Sequence, residues 1–231
     1  MCGLAGWHRS RNLPDVGLSA GVMAGALVHR GPDAGDSWHS HDRTTSLGFR
    51  RLAIRDLDMR ANQPMTSAGG NTTIVFNGEI YNTRELAARY LDGVTLRTTG
   101  DTEVLLELFE RRGPEILSEI NGMFAVAIWS RDSGTVHLAR DGAGKKPLYL
   151  YHGDGFTGFA SELRAFTGWP RDPDPDVVPH FLHFGYVPAP GTFYQRVSQL
   201  RPRTVRVPSN GSKLAIPRCS VNFRIVCKNP A

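Results

Sequence analysis

No apolar run in the 231 residues approaches the ~18 needed to cross a membrane, and the amino terminus lacks the basic-then-apolar pattern of a secretion signal. A cytoplasmic location is the default expectation. Cysteine is scarce as well: Cys2, Cys219 and Cys227 have no spacing suited to a zinc site, and three thiols without a secretion signal argue against a disulfide framework. Reduced thiols are expected. Acidic residues are missing from Val177 to Ala231, where Arg196, Arg201, Arg203, Arg206, Lys213, Arg218, Arg224 and Lys228 contribute +8. Residues 1–176 hold 19 basic and 22 acidic side chains, a net −3, so the formal charge of +5 belongs to the tail. Those charges stand singly with few aromatics among them, which favours a solvated or partner-facing segment over a nucleic-acid site. Neither nucleic acid nor a membrane is an expected partner. No internal repeat occurs. What remains is a globular composition, 40% hydrophobic and 21% charged, sized for one large domain or one domain with an appendage.

Periodicity divides the chain into strands and helices in clusters. Leu18, Val22, Met23, Ala26 and Leu27 predict a helix over Val16 to Val28, stopped by His29-Arg30-Gly31-Pro32-Asp33. Ser46 to Ile54 predicts a strand with Leu47, Phe49 and Arg51 on one face and Leu52 and Ile54 at the other parity. Asn71 to Phe76 predicts a second strand running into Asn77-Gly78, for which a plain hairpin turn is the simplest local reading. Asn82 with Glu85 predicts a capped helix through Leu91, and Thr98 to Glu103 opens another through Phe109, where Asp101 suits capping and ligand binding alike. A short helix over Ile116 to Ile120 precedes an almost wholly apolar strand, Gly122 to Trp129, expected to be buried on both faces. Thr135 to Asp141, Pro147 to Tyr151 and Phe156 to Ala160 predict further strands. Gly142-Ala143-Gly144-Lys145-Lys146 is not a phosphate-binding loop and reads as a mobile hairpin. After one or two helical turns at Glu162 to Phe166, three prolines from Pro170 to Pro175 mark a linker or surface excursion, with short strands expected at Thr204–Val207 and Lys213–Ile216. Clustered antiparallel elements favour an α+β fold.

The chemistry converges on the first residues, Met1-Cys2-Gly3-Leu4-Ala5-Gly6. Removal of Met1 would put a thiol and a free α-amino group on one residue. An α-amino group titrates near ~7.7–8.0, so it can take the thiol proton at neutral pH, directly or through one water.

Six stretches in order resemble one family: Met1 to Gly6, His29 to Asp33, Arg51-Leu52-Ala53-Ile54, Phe76 to Asn82, Thr99 to Glu103, and Ala160-Ser161-Glu162. The family is the class II glutamine amidotransferases, and the likeness is greatest to the glutaminase half of glutamine-hydrolysing asparagine synthetases. The resemblance implies a four-layer αββα sandwich of the N-terminal-nucleophile hydrolases, with two stacked, mainly antiparallel sheets. It implies a thioester at Cys2, an oxyanion held by the Asn77 side chain and the Gly78 N–H, and a substrate-binding stretch that includes Arg51, Leu52 and Ile54. Arg51 would take the glutamine carboxylate, and Asp101 and Glu79 its ammonium. Phosphoribosyl-pyrophosphate amidotransferase and glucosamine-phosphate synthase rank lower because their signature stretches differ.

On this resemblance residues 1–195 form the glutaminase domain and 196–231 a junction and basic tail, cut off just after the boundary. No cofactor is expected in this chain, since ATP and magnesium would come only with the missing synthetase domain. Glutamine and a separate synthetase domain or subunit are the implied partners, with a homodimer left open. The competing reading is a noncatalytic remnant of the same fold acting as a binding or regulatory subunit.

Overall fold

The computed structural model describes residues 1–10, 12–13 and 16–208. In chain order the elements are β1 (Gly3–Arg9), α1 (Ala20–Gly25), β2 (Ala34–His39), β3 (Thr45–Arg51), β4 (Met65–Thr66), β5 (Thr72–Ile80), α2 (Thr83–Tyr90), α3 (Asp101–Arg112), β6 (Gly122–Ser130), β7 (Thr135–Arg140), β8 (Tyr149–His152), β9 (Phe156–Ala160), α4 (Val178–Phe184), β10 (Val197–Gln199) and β11 (Thr204–Arg206). The expected strand Lys213–Ile216, together with Cys219 and Cys227, lies outside the described residues. Among those described, no helix is long and apolar enough to cross a membrane.

The strands form a six-stranded sheet, β10-β8-β9-β1-β3-β2, and a five-stranded one, β11-β7-β6-β5-β4, every pairing antiparallel. Alternation of side chains makes three apolar layers from the two sheets. Leu4, Leu47, Phe49, Val75, Ala125 and Leu138 meet between them. Ala5 and Trp7, at the opposite parity, pack outward on Met23 and Leu27. Ile74, Phe76 and Ile80 pack outward from the second sheet on Leu105, Leu108 and Phe109 of α3. Helix, sheet, sheet and helix therefore stack in that order, which is the expected αββα sandwich. Both sheets continue past residue 195, since β10 pairs with β8 and β11 with β7.

Several local expectations are corrected. Helix α1 is shorter than 16–28: Gly17 has φ +70°, Ser19 Oγ caps the Val22 N–H at 3.2 Å, and the chain beyond Leu27 tightens into a 3₁₀ turn. It lies close on the first sheet, where a Cβ at Gly48 would come within 2.2 Å of the Ala20 carbonyl oxygen. Strand β3 stops at Arg51 instead of Ile54, because the next amides turn elsewhere: Leu52 N–H to Cys2 Sγ and Ala53 N–H to Asp33 Oδ2 at 2.8 Å. Asn77-Gly78 is no turn, and β5 runs straight through it, Asn77 opposite Ala125 and Gly78 opposite Phe124. Asn82 does not cap α2 with its side chain, which bonds Glu119 O and Asn121 N–H instead. The helix expected at Ile116–Ile120 is a 3₁₀ turn over Gly113–Ser118.

Residues 142–146 form no hairpin, because β7 and β8 belong to different sheets and this segment crosses between them. It is pinned from both ends. Arg140 donates to Gly144 O, Lys146 O and Leu200 O, while the Asp141 carboxylate accepts from the N–H groups of Phe124, Ala143, Lys145 and Lys146.

Candidate active site

All eight residues that the resemblance singled out, Cys2, Arg51, Leu52, Ile54, Asn77, Gly78, Glu79 and Asp101, line one cavity of about 170 Å³ at the seam between the sheets. Cys2 stands at the head of β1, the middle strand of its sheet, held between β3 and β9. Ser161 extends that grip, its Oγ accepting from the Leu4 N–H at 3.1 Å and its N–H donating to Leu4 O. The Cys2 carbonyl accepts from Arg30 Nε at 2.9 Å, and Arg30 Nη1 in turn pairs with Glu162 at 2.8 Å. Burial alone would raise the Glu162 carboxyl, but hydrogen bonds from Arg30 and His29 outweigh it and hold the group below its ordinary range. At the sulfur, the Leu52 N–H approaches Sγ at 3.4 Å and the thiol lies 3.7 Å from Leu52 O.

The opposite wall is β5. Its partner on the outer side, β4, pairs only with Thr73 and Ile74, so among the described residues the edge beyond is free of a strand. N–H groups at alternate positions share an edge. Phe76 N–H goes to Gln63 Oε1 at 2.6 Å and Ile80 N–H to Asp101 Oδ2 at 3.0 Å. The Gly78 N–H shares this edge, between them, and Gly78 lines the cavity. Glycine is required there by the neighbouring strand: a Cβ would lie 2.4 Å from Met123 O and 2.6 Å from Phe124 Cβ. Asn77 is buried, and its Nδ2 has no hydrogen-bond partner among the described residues.

Asp101 opens α3, where the N-terminal N–H groups favour a carboxylate. Burial pushes its carboxyl upward, against the Ile80 N–H and the nearby Arg55 cation. Glu103, two residues on in the same first turn, reaches back to the N–H groups of Arg97 and Thr98 and fixes the approach to the helix. Arg51, also buried, is occupied by its own loop: Nη1 donates to Asp58 O and Asn62 Oδ1, and Nη2 to Arg55 O and Asp56 O. Asp56 ties the same loop to Thr99 through its N–H at 2.7 Å, the bond that chiefly keeps this carboxyl low.

Three cavity residues carried no sequence signal of their own. Arg55 pairs with Glu79 at 3.1 Å and approaches Asp101 at 3.8 Å. Gln63 bridges β5 and Thr102 of α3, and the largely buried Lys146 arrives from the crossing segment, its Nζ 3.4 Å from Met1 Sδ. Only the tertiary fold brings these to the site. No group of three His, Cys, Asp or Glu side chains converges for a metal among the described residues.

A family model described as a glutamine amidotransferase domain matches residues 1–215. Among curated relatives, asparagine synthetase [glutamine-hydrolyzing] 1 of Bacillus subtilis is 34% identical over 208 residues, covering 87% of this chain and 32% of the relative. Asparagine synthetase [glutamine-hydrolyzing] 2 of the same organism is 38% identical over 178 residues, 75% of this chain and 23% of the relative. The chain thus spans about a third of the length of such relatives or less. Of solved structures, the glutamine phosphoribosylpyrophosphate amidotransferase of B. subtilis superposes with a TM-score of 0.61 over 90% of this chain and 47% of that one, at 19% identity, a likeness of fold alone. With the match covering all the described residues and residues of the resembling stretches lining one cavity, the chain belongs to the glutamine amidotransferase domain family.

Proposed function

We propose that this chain hydrolyses glutamine to glutamate and ammonia through Cys2, as the glutaminase part of an asparagine synthetase. The observation that carries the reading is the orphaned, buried Nδ2 of Asn77 on the wall of the cavity that Cys2 heads. A buried donor without an acceptor costs ~1–3 kcal/mol unless a ligand supplies one.

With Met1 removed, the Cys2 α-amine takes the thiol proton and sulfur attacks the carboxamide carbon. The carbonyl π pair moves to oxygen, and Asn77 Nδ2 and the Gly78 N–H receive the oxyanion. Collapse expels ammonia with the proton carried by the α-ammonium, leaving a thioester. Water, deprotonated by the same amine, then releases glutamate and restores the thiol. Asp101 and Glu79 hold the substrate ammonium, while Arg51, Leu52 and Ile54 form the wall for its carboxylate end. The four loop bonds of Arg51 leave Nε as its uncommitted donor, so its part is as much to shape the 52–62 loop as to bind directly. Ammonia then passes to a synthetase domain or subunit, consistent with the names of the relatives and the third of their length matched here.

Glutamate release from glutamine by the purified chain tests the proposal, with mass spectrometry to establish loss of Met1. Release that C2A abolishes supports it. A folded, Met1-free chain that releases none overturns it in favour of a noncatalytic subunit.

A further inference from the structure

The carboxylates of Glu79 and Asp101 already have a cation. Arg55 Nη2 lies 3.1 Å from Glu79 Oε1 and Nη1 lies 3.8 Å from Asp101 Oδ2, so one guanidinium spans both groups. Among the described residues neither of the other side-chain cations lining the cavity pairs with these carboxylates: Arg51 is engaged with its own loop, and the Nζ of Lys146 lies by the Met1 side chain. The Arg55 backbone is fixed, because its carbonyl accepts from Arg51, whereas the side chain is about half exposed at 53% and can swing outward without disturbing the core.

We propose that Arg55 is an internal occupant of the ammonium subsite and thereby a specificity-determining residue. The inference rests on the assignment of Glu79 and Asp101 to the substrate ammonium. A ligand with an α-ammonium displaces the guanidinium from both carboxylates and replaces its charge. A carboxamide lacking the amine leaves Arg55 seated, because nothing else would neutralise the pair. Arg55 therefore weakens the binding of every α-amino ligand by the strength of its own two contacts, and it offsets one of the two negative charges when the subsite is empty. Arg55 thereby lowers the margin by which the subsite prefers a free α-amino acid amide over the same amide without its amine.

The test is calorimetric titration of the full chain in a C2A background, which blocks turnover, with glutamine and with 4-carbamoylbutanoate, its analogue without the amine. In C2A/R55A and C2A/R55Q the Kd for glutamine is expected to fall roughly two- to five-fold, the span set by exposed ion pairs. The analogue is expected to bind no better. An unchanged or raised Kd for glutamine in both variants, or equal tightening for both ligands, overturns the inference. Glutamate release by the chain with Cys2 intact is measured separately. Its absence beside a tightened Kd removes the hydrolytic reading and leaves the subsite standing, and absence of glutamine binding throughout removes both.

Discussion

Asn77 holds a donor that folding leaves without an acceptor among the described residues, and the oxyanion of the proposed reaction would supply one. Replacing it with Ala is expected to lower kcat by about 10²–10³ with a smaller effect on KM, as for the loss of one oxyanion donor, read from steady-state glutamate release. Asp101 predicts a pH dependence. Burial raises its carboxyl above the ordinary Asp value, against the Ile80 N–H and Arg55, and the ionised form is the one that holds an ammonium. Glutamine binding should therefore weaken on acidification at a pH above that of an exposed Asp. Calorimetry on C2A across pH 4–7 checks this against C2A/D101N, in which the acid limb should shrink to the part left to Glu79. The same shift acts oppositely on folding. An acid whose folded value is raised subtracts from stability as pH climbs from the ordinary Asp range through the raised value.

At the scale of elements, the crossing segment between β7 and β8 is the most heavily tied stretch near the site. Asp141 accepts four main-chain N–H groups, so D141N would set an amide N–H₂ against donors. A loss of about 3 kcal/mol in urea unfolding is expected, with reduced turnover as Lys146 moves from the cavity. This segment also marks what the sequence could not tell. Gly-Ala-Gly-Lys-Lys reads as a mobile hairpin because local chemistry says nothing of which sheet each flanking strand joins. Asn77-Gly78 misleads in the same way: the pair favours a turn in isolation, and the long partner β6 overrides it by pairing across nine positions. Strands β2 and β10 gave no signal, Ala34–His39 being mostly exposed and Val197–Gln199 only three residues long. By contrast the apolar strand over Gly122 to Trp129 and the helix after Thr98 were legible, since each carries its own burial pattern. The site residues were legible through resemblance, whereas Arg55, Gln63 and Lys146 are recruited by tertiary structure alone.

For the whole molecule, the acid limit of stability has a named contributor. His152 ends β8, with Nε2 2.7 Å from Ser198 Oγ of β10 and Nδ1 without a partner among the described residues. Burial, reinforced by the Arg206 charge, lowers it from 6.5 to about 4. Above pH 6.5 it is neutral folded or unfolded and contributes no slope. As pH falls from there toward about 4 the unfolded chain takes up the proton first, so stability should drop by up to about 3 kcal/mol. Urea midpoints at pH 7.5 and 4.5 read this, and in H152Q the drop should shrink by that amount.

The four-layer stack has one more consequence. Cys2 belongs to one sheet and Asn77 to the other, and what keeps the sheets apart is Leu4, Leu47, Phe49, Val75 and Ala125, none of them polar. In the proposed reaction the reach of sulfur to the carbonyl is therefore gauged by aliphatic and aromatic bulk, like a jaw set by its shims. Displacement of a reacting group by ~1 Å can cost about 10²-fold in rate. On that proposal a methylene gained or lost at Val75 would retune turnover without touching glutamine, and the fine adjustment of its speed would be written in residues that carry no chemistry of their own.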